Sequence, residues 1–163
     1  MNLFRAPEPV PTELLKNSLF LAGGIGIGAI VPDWQSELIE NFRDTELTLI
    51  NPRRDDYPTD DPGALRQQIE WEHRHLKAAS AISFWFVAET LCPITLYELG
   101  SWANRRDEAG QQKPIFVGVH PDYTRRADLF IQLSLVRPEV QIVDSITELE
   151  LQIRAALGLP HSI

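Results

Sequence analysis

The chain has 163 residues, of which 44% are hydrophobic and 23% charged, and its formal net charge at pH 7 is −8. That length supports one domain with a sizeable core, and an acidic chain without a basic run argues against sequence-independent binding of nucleic acid. A single cysteine, Cys92, rules out an internal disulfide and fits a reducing, cytoplasmic compartment.

Residues 1–17 hold Pro7, Pro9 and Pro11 and no apolar core of the signal-peptide kind, so they read as an extended tail ahead of a domain over 18–163. Leu19 to Ala22 reads as the first strand, followed by Gly23-Gly24-Ile25-Gly26-Ile27-Gly28. The uncharged stretch Asn17 to Pro32 is too rich in glycine for a membrane span. Asp33 to Arg43 reads as a helix with Trp34, Leu38, Ile39 and Phe42 on one face. Leu47 to Ile50 is the second strand. Asn51 to Gly63 is a long polar loop with three prolines, a length that often marks function. Ala64 to Ala79 is a charged helix and Ala81 to Val87 the third strand. A helix over Thr95 to Glu108, a strand over Ile115 to Val119, a helix over Tyr123 to Leu135 and a strand over Val140 to Val143 follow. Ser145 to Leu157 is the closing helix, ended by Gly158 and Pro160.

Apolar strands alternating with helices predict an α/β fold: one five-stranded parallel sheet covered on both faces, a three-layer sandwich. The simplest strand order is the flavodoxin-like 2-1-3-4-5, with its switch point between strands one and three. The loops 23–32 and 87–95 meet there, with 51–63 beside them.

These loops hold the candidate site. Thr95-x-x-Glu98 has the form of a capping box, which predicts Glu98 in the first turn of a helix, ionised by the helix dipole and nearby amides. A carboxylate at the end of a parallel strand is also a candidate nucleophile. Gly23 and Gly24 either cradle a phosphate or sugar hydroxyl with backbone amides or form a tight turn. Arg54, Asp55 and Asp56, next to Arg53, either grip a sugar or phosphate or form a solvated turn. Gln68, Glu72 and His75 share one helical face, on which Glu72 could hold a sugar hydroxyl or a base edge. His73 and His75 are two residues apart with no cysteine beside them, so no metal site is expected.

Taken together, Leu19-Phe20-Leu21-Ala22-Gly23-Gly24-Ile25, Asp33-Trp34-Gln35, Asn51-Pro52-Arg53-Arg54-Asp55-Asp56, Gln68-x-x-Trp71-Glu72 and Pro93-Ile94-Thr95-Leu96-x-Glu98-Leu99-Gly100 occur in this order. The chain thereby resembles the nucleoside 2-deoxyribosyltransferase-like superfamily over roughly residues 19–120. The resemblance implies a flavodoxin-like fold, a homo-oligomer and cleavage of the N-glycosidic bond of a 2′-deoxynucleoside or its 5′-monophosphate, with no cofactor or metal. It makes Glu98 the nucleophile and Glu72 the acid that contacts sugar or base. Gly23, Gly24 and Arg54 fall toward the 5′ side of the sugar, and Asp55, Asp56, Gln68 and Thr95 around the substrate. Transferases of the family carry an aspartate six residues before the nucleophile, where this chain has Cys92. Two alternatives stand beside the glycosidic reading. One is a non-catalytic nucleotide-binding module; the other is a glycohydrolase of a larger nucleotide such as a dinucleotide cofactor.

Overall fold

The computed structural model describes residues 1–26, 31–54, 56–58 and 60–160. In chain order the elements are β1 (Asn2–Arg5), a 3-10 helix (Thr12–Asn17), β2 (Ser18–Gly23), α1 (Trp34–Asn41), β3 (Thr48–Asn51), α2 (Ala64–Ala78), β4 (Ala81–Phe86), α3 (Pro93–Asn104), β5 (Ile115–Val119), α4 (Arg126–Val136), β6 (Ile142–Val143) and α5 (Ile146–Leu157). The strands form one all-parallel sheet in the order β1-β3-β2-β4-β5-β6. Every residue of β3, β4 and β5 is buried, so both faces of these strands are covered. Leu38, Phe42, Leu149 and Ile153 are among the core residues that α1, its C-terminal end and α5 supply.

The expected five strands and the order 2-1-3-4-5 are corrected to six strands with β1 at the edge. Asn2 to Arg5 pair in parallel with Thr48 to Asn51, and Leu3 packs on the core. Four residues with one or two apolar side chains carry no strand signal of their own; the open edge of β3 supplies the partner. The backbone carbonyl of Glu8 then accepts from Trp71 Nε1 at 2.7 Å, tying the segment after β1 to α2. β1 covers what would otherwise be an exposed edge on a fully buried strand. Without β1, the remaining strands run β3-β2-β4-β5-β6, and the crossover that separates β2 from β4 in sequence puts the switch point between them.

Helix ends follow their caps. Asp33 accepts from Ser36 N at 3.1 Å to start α1, Ser145 accepts from Glu148 N at 3.1 Å to start α5, and Gly158 ends α5 with a φ of 65°. The end of α2 is held by a side chain from the segment before β5. Lys113 Nζ donates to the carbonyls of Leu76 (2.8 Å), Lys77 (3.0 Å) and Ala79, and lies 4.7 Å from the centre of the Trp102 ring. We expect Lys113→Met to lower stability by about 1–3 kcal/mol in urea unfolding, because three helix-end carbonyls lose their donor together. No helix among the described residues is long and apolar enough to cross a membrane.

Candidate functional site

The carboxyl ends of β2, β3 and β4 carry the residues singled out in the sequence. At the end of β2, Gly23 and Gly24 sit in tight surroundings. A Cβ on Gly23 would lie 2.3 Å from the Trp34 ring and 2.6 Å from the Trp85 carbonyl; one on Gly24 would lie 2.6 Å from Val87 and 2.7 Å from Cys92 Sγ. Gly24 also donates its N–H to Trp85 O and accepts from Trp34 Nε1 at 3.0 Å. The close approach of α1, β4 and the start of α3 therefore accounts for glycine at both positions. Residues 27–30 of the same loop lie outside the described residues.

α3 begins two residues earlier than expected. Pro93 occupies its first position, where its fixed φ suits a helix start and its missing N–H costs nothing. Cys92 caps it in the left-handed region, φ 46° and ψ 52°, uncommon for a residue other than glycine. Its N–H donates to Thr90 Oγ1 at 2.9 Å, and Tyr123 Oη donates to Leu91 O at 2.8 Å, so both sides of the turn are held. Two expectations are corrected here. Thr95 is the third helical residue and is buried, so it is not the N-cap. Glu98 is the sixth, in the second turn, and no capping box forms.

That shift changes the electrostatics of Glu98. It lies beyond the free amides of the first turn, half-buried, and faces a second carboxyl. Burial, and after it the charge of Glu72, push the Glu98 carboxyl up to about 8. The expectation of a fully ionised carboxylate at neutral pH is thus corrected: desolvation and a like charge outweigh the helix dipole. Burial also raises Glu72, against a lowering hydrogen bond from Gln68. Gln68 Nε2 donates to Glu72 Oε1 and to Pro52 O, both at 2.7 Å. This amide joins α2 to the loop after β3. Glu72 acts as a charge on Glu98, so the two carboxyls ionise one after the other, the arrangement that separates an acid from a base.

Other candidates are distributed less evenly. Arg54 Nη1 donates to Gln67 Oε1 at 3.1 Å, its guanidinium lies 5.6 Å from the Tyr57 ring centre, and its buried Nε has no partner among the described residues. Asp56 is exposed, and Asp55 lies outside the described residues. His75 does not join Glu72: it is buried against Trp71, ring centres 4.2 Å apart, with Nδ1 at 2.7 Å from Trp71 O. Burial raises the Cys92 thiol above its usual value, so at neutral pH it is a thiol and no nucleophile. Among the described residues no cluster of His, Cys, Asp and Glu could hold a metal ion. A groove of about 390 Å³ between α3 and α4, lined by Leu96, Leu99, Leu129 and Leu133, includes neither carboxyl.

Gln35 was not singled out from the sequence alone. It is fully buried; Arg53 Nη1 reaches its Oε1 at 3.5 Å and Asp33 Oδ1 at 3.6 Å, and its Nε2 has no partner among the described residues. The available signal was an amide between Trp34 and the apolar face of α1.

The family model described as nucleoside 2-deoxyribosyltransferase like matches residues 16–123, from just before β2 past β5, and spans Gly23, Gly24, Arg54, Gln68, Glu72, Cys92, Thr95 and Glu98. No curated protein matches the chain.

Proposed function

Because the chain belongs to the nucleoside 2-deoxyribosyltransferase-like family, we propose that it cleaves the N-glycosidic bond of a (deoxy)nucleoside or its 5′-monophosphate, with Glu98 as nucleophile. Family membership supports glycosyl transfer or hydrolysis on nucleosides at the coarse level. The observation that carries the finer reading is the desolvated pair Glu98 and Glu72 at the carboxyl end of the sheet.

The chemistry follows from that pair. Glu98 gives up its proton and attacks the anomeric carbon as the bond to the base nitrogen breaks. The electron pair of that bond leaves with the base, which must be protonated. Glu72 is the adjacent carboxyl that receives the proton from Glu98 and delivers it to the departing base. A glycosyl ester on Glu98 results. Water, giving its proton to the Glu72 carboxylate, or a second base then attacks the same carbon from the face the first base left, and the Glu98 carboxylate is released with net retention. The oxocarbenium character that develops on the sugar is stabilised by the nearby negative charge.

The test is chromatography of the protein incubated with deoxynucleosides and their 5′-monophosphates, with and without a second free base. Release of free base supports the reading, and exchange into the second base makes the protein a transferase. Binding of nucleotide without product would favour a binding module. The Arg54 guanidinium, whose Nε–H has no acceptor among the described residues, suits a phosphate. We expect Arg54→Ala to raise KM for a 5′-monophosphate about 10-fold, with little change for the parent nucleoside.

A further inference from the structure

We propose that Gln68 is a positioning residue that decides which of the two carboxyl groups ionises first. This rests on the reading of Glu98 and Glu72 as the reacting pair. Gln68 Nε2 lies 2.7 Å from two oxygens at once, Glu72 Oε1 and Pro52 O. Only the NH₂ end of an amide can sit between two acceptors; the reversed amide would set its own oxygen against both. That orientation leaves Gln68 Oε1 buried with no partner among the described residues. A buried unpaired acceptor is unfavourable, so the two donated bonds must outweigh it. The amide is therefore fixed, and what it fixes is a donor aimed at Glu72. A donor stabilises the carboxylate form, so Glu72 ionises first and Glu98, which has no such donor among the described residues, keeps the proton.

Among the described residues, few other charges are placed to set this partition. Glu72 on α2 is the charge that acts on Glu98 on α3. On the loop after β3, Arg54 is turned to Gln67 and the Tyr57 ring, and Asp56 is exposed. At the foot of α3 the Cys92 thiol stays neutral, and Glu89 is exposed. The unpaired Gln68 oxygen remains to accept an O–H or N–H from a bound substrate.

The consequence is not that of an ordinary lost contact. Without the Gln68 donor, Glu72 holds its proton to higher pH. Glu98 then faces a neutral neighbour and ionises at lower pH. The two carboxyls move in opposite directions.

The experiment is a carboxyl titration of the full chain, labelled with ¹³C-glutamate and followed by NMR without substrate. In Gln68→Met the Glu98 midpoint is expected to fall by about one pH unit or more while the Glu72 midpoint rises. A folded Gln68→Met protein in which the Glu98 midpoint stays or rises overturns the proposal. Wild-type protein supplies a second reading that needs no variant: the side-chain NH₂ signals of Gln68 should titrate with the Glu72 midpoint. If they follow the Glu98 midpoint, or neither, the proposal fails even where Gln68→Met does not fold. Because no substrate is present, absence of base release would remove the glycosidic reading and leave this result to stand or fall alone.

Discussion

Glu98→Gln lowers the rate of base release by about 10³-fold or more and, in the same protein, raises the melting temperature at pH 8. The two effects have one cause. The amide keeps the size of the carboxyl but has no oxygen anion to attack the anomeric carbon, so no glycosyl ester forms. It also has no charge to desolvate. In the wild type the Glu98 carboxyl lies at about 8 against an ordinary 4.5, so the folded state binds its proton more tightly than the unfolded state does. The stabilisation from that proton is full below pH 4.5 and is lost as pH rises through about 8. Glu98→Gln escapes the loss. The melting-temperature difference should be close to zero at pH 4.5 and grow to about 3–6 °C at pH 8, read by thermal unfolding across that range. Equal melting temperatures at pH 8 would mean the carboxyl is well solvated, and the acid–base pair would lose its basis. Activity falls over the same range: the reaction starts from the pair with its one proton on Glu98, which Glu72 takes and delivers to the departing base, so kcat/KM should fall as pH rises through about 8.

Much of this was legible in the sequence, and where it was not the reason is physical. Ala81-Ile82-Ser83-Phe84-Trp85-Phe86 and Ile115-Phe116-Val117-Gly118-Val119 are too continuously apolar for a half-exposed strand, and both are central and fully buried. The loops that gather at the switch point followed from strand order. β1 did not follow, because Asn2 to Arg5 become a strand only by pairing with β3, more than 40 positions away. The start of α3 had a readable signal in Pro93, and the capping-box pattern at Thr95 outweighed it. The ionisation of Glu98 could not be read locally. A position in the first helical turn predicts a stabilised anion, whereas the neighbour that matters, Glu72, comes from another helix. Gln68 was legible as a residue on the right face of α2, but its bond to Pro52 O depends on where the loop after β3 returns.

Arg154 is the residue whose role the helical pattern conceals most, and its loss should be the most damaging to the fold. On α5 it reads as one more cation on an amphipathic helix, yet it is fully buried. Its guanidinium donates to Glu150 Oε1 and Asp44 Oδ1, both at 2.7 Å, to Asp44 Oδ2 at 3.3 Å, and to the carbonyls of Asn41 and Pro160, while lying 5.3 Å from the Phe42 ring centre. One side chain thus joins α5, the end of α1, the turn before β3 and the segment after α5. The Asp44 carboxyl is held below its usual range by its hydrogen bond from Arg154. Arg154→Met leaves Glu150, itself 5% exposed, as a buried carboxylate that has lost its guanidinium, and leaves helix-end carbonyls without that donor. The expected cost is about 3–5 kcal/mol, or roughly 6–20 °C in melting temperature for a domain of this size. Adding Glu150→Leu should recover a large part of it, because a buried pair replaced whole by apolar side chains is often neutral whereas half a pair is not. Recovery should stay incomplete, since Asn41 O and Pro160 O still lack their donor. If Arg154→Met alone unfolds at the wild-type temperature, the guanidinium is not the tie between α5 and α1 that its contacts describe. If the double variant is no more stable than the single one, the cost lies in the carbonyls and not in the Glu150 carboxylate.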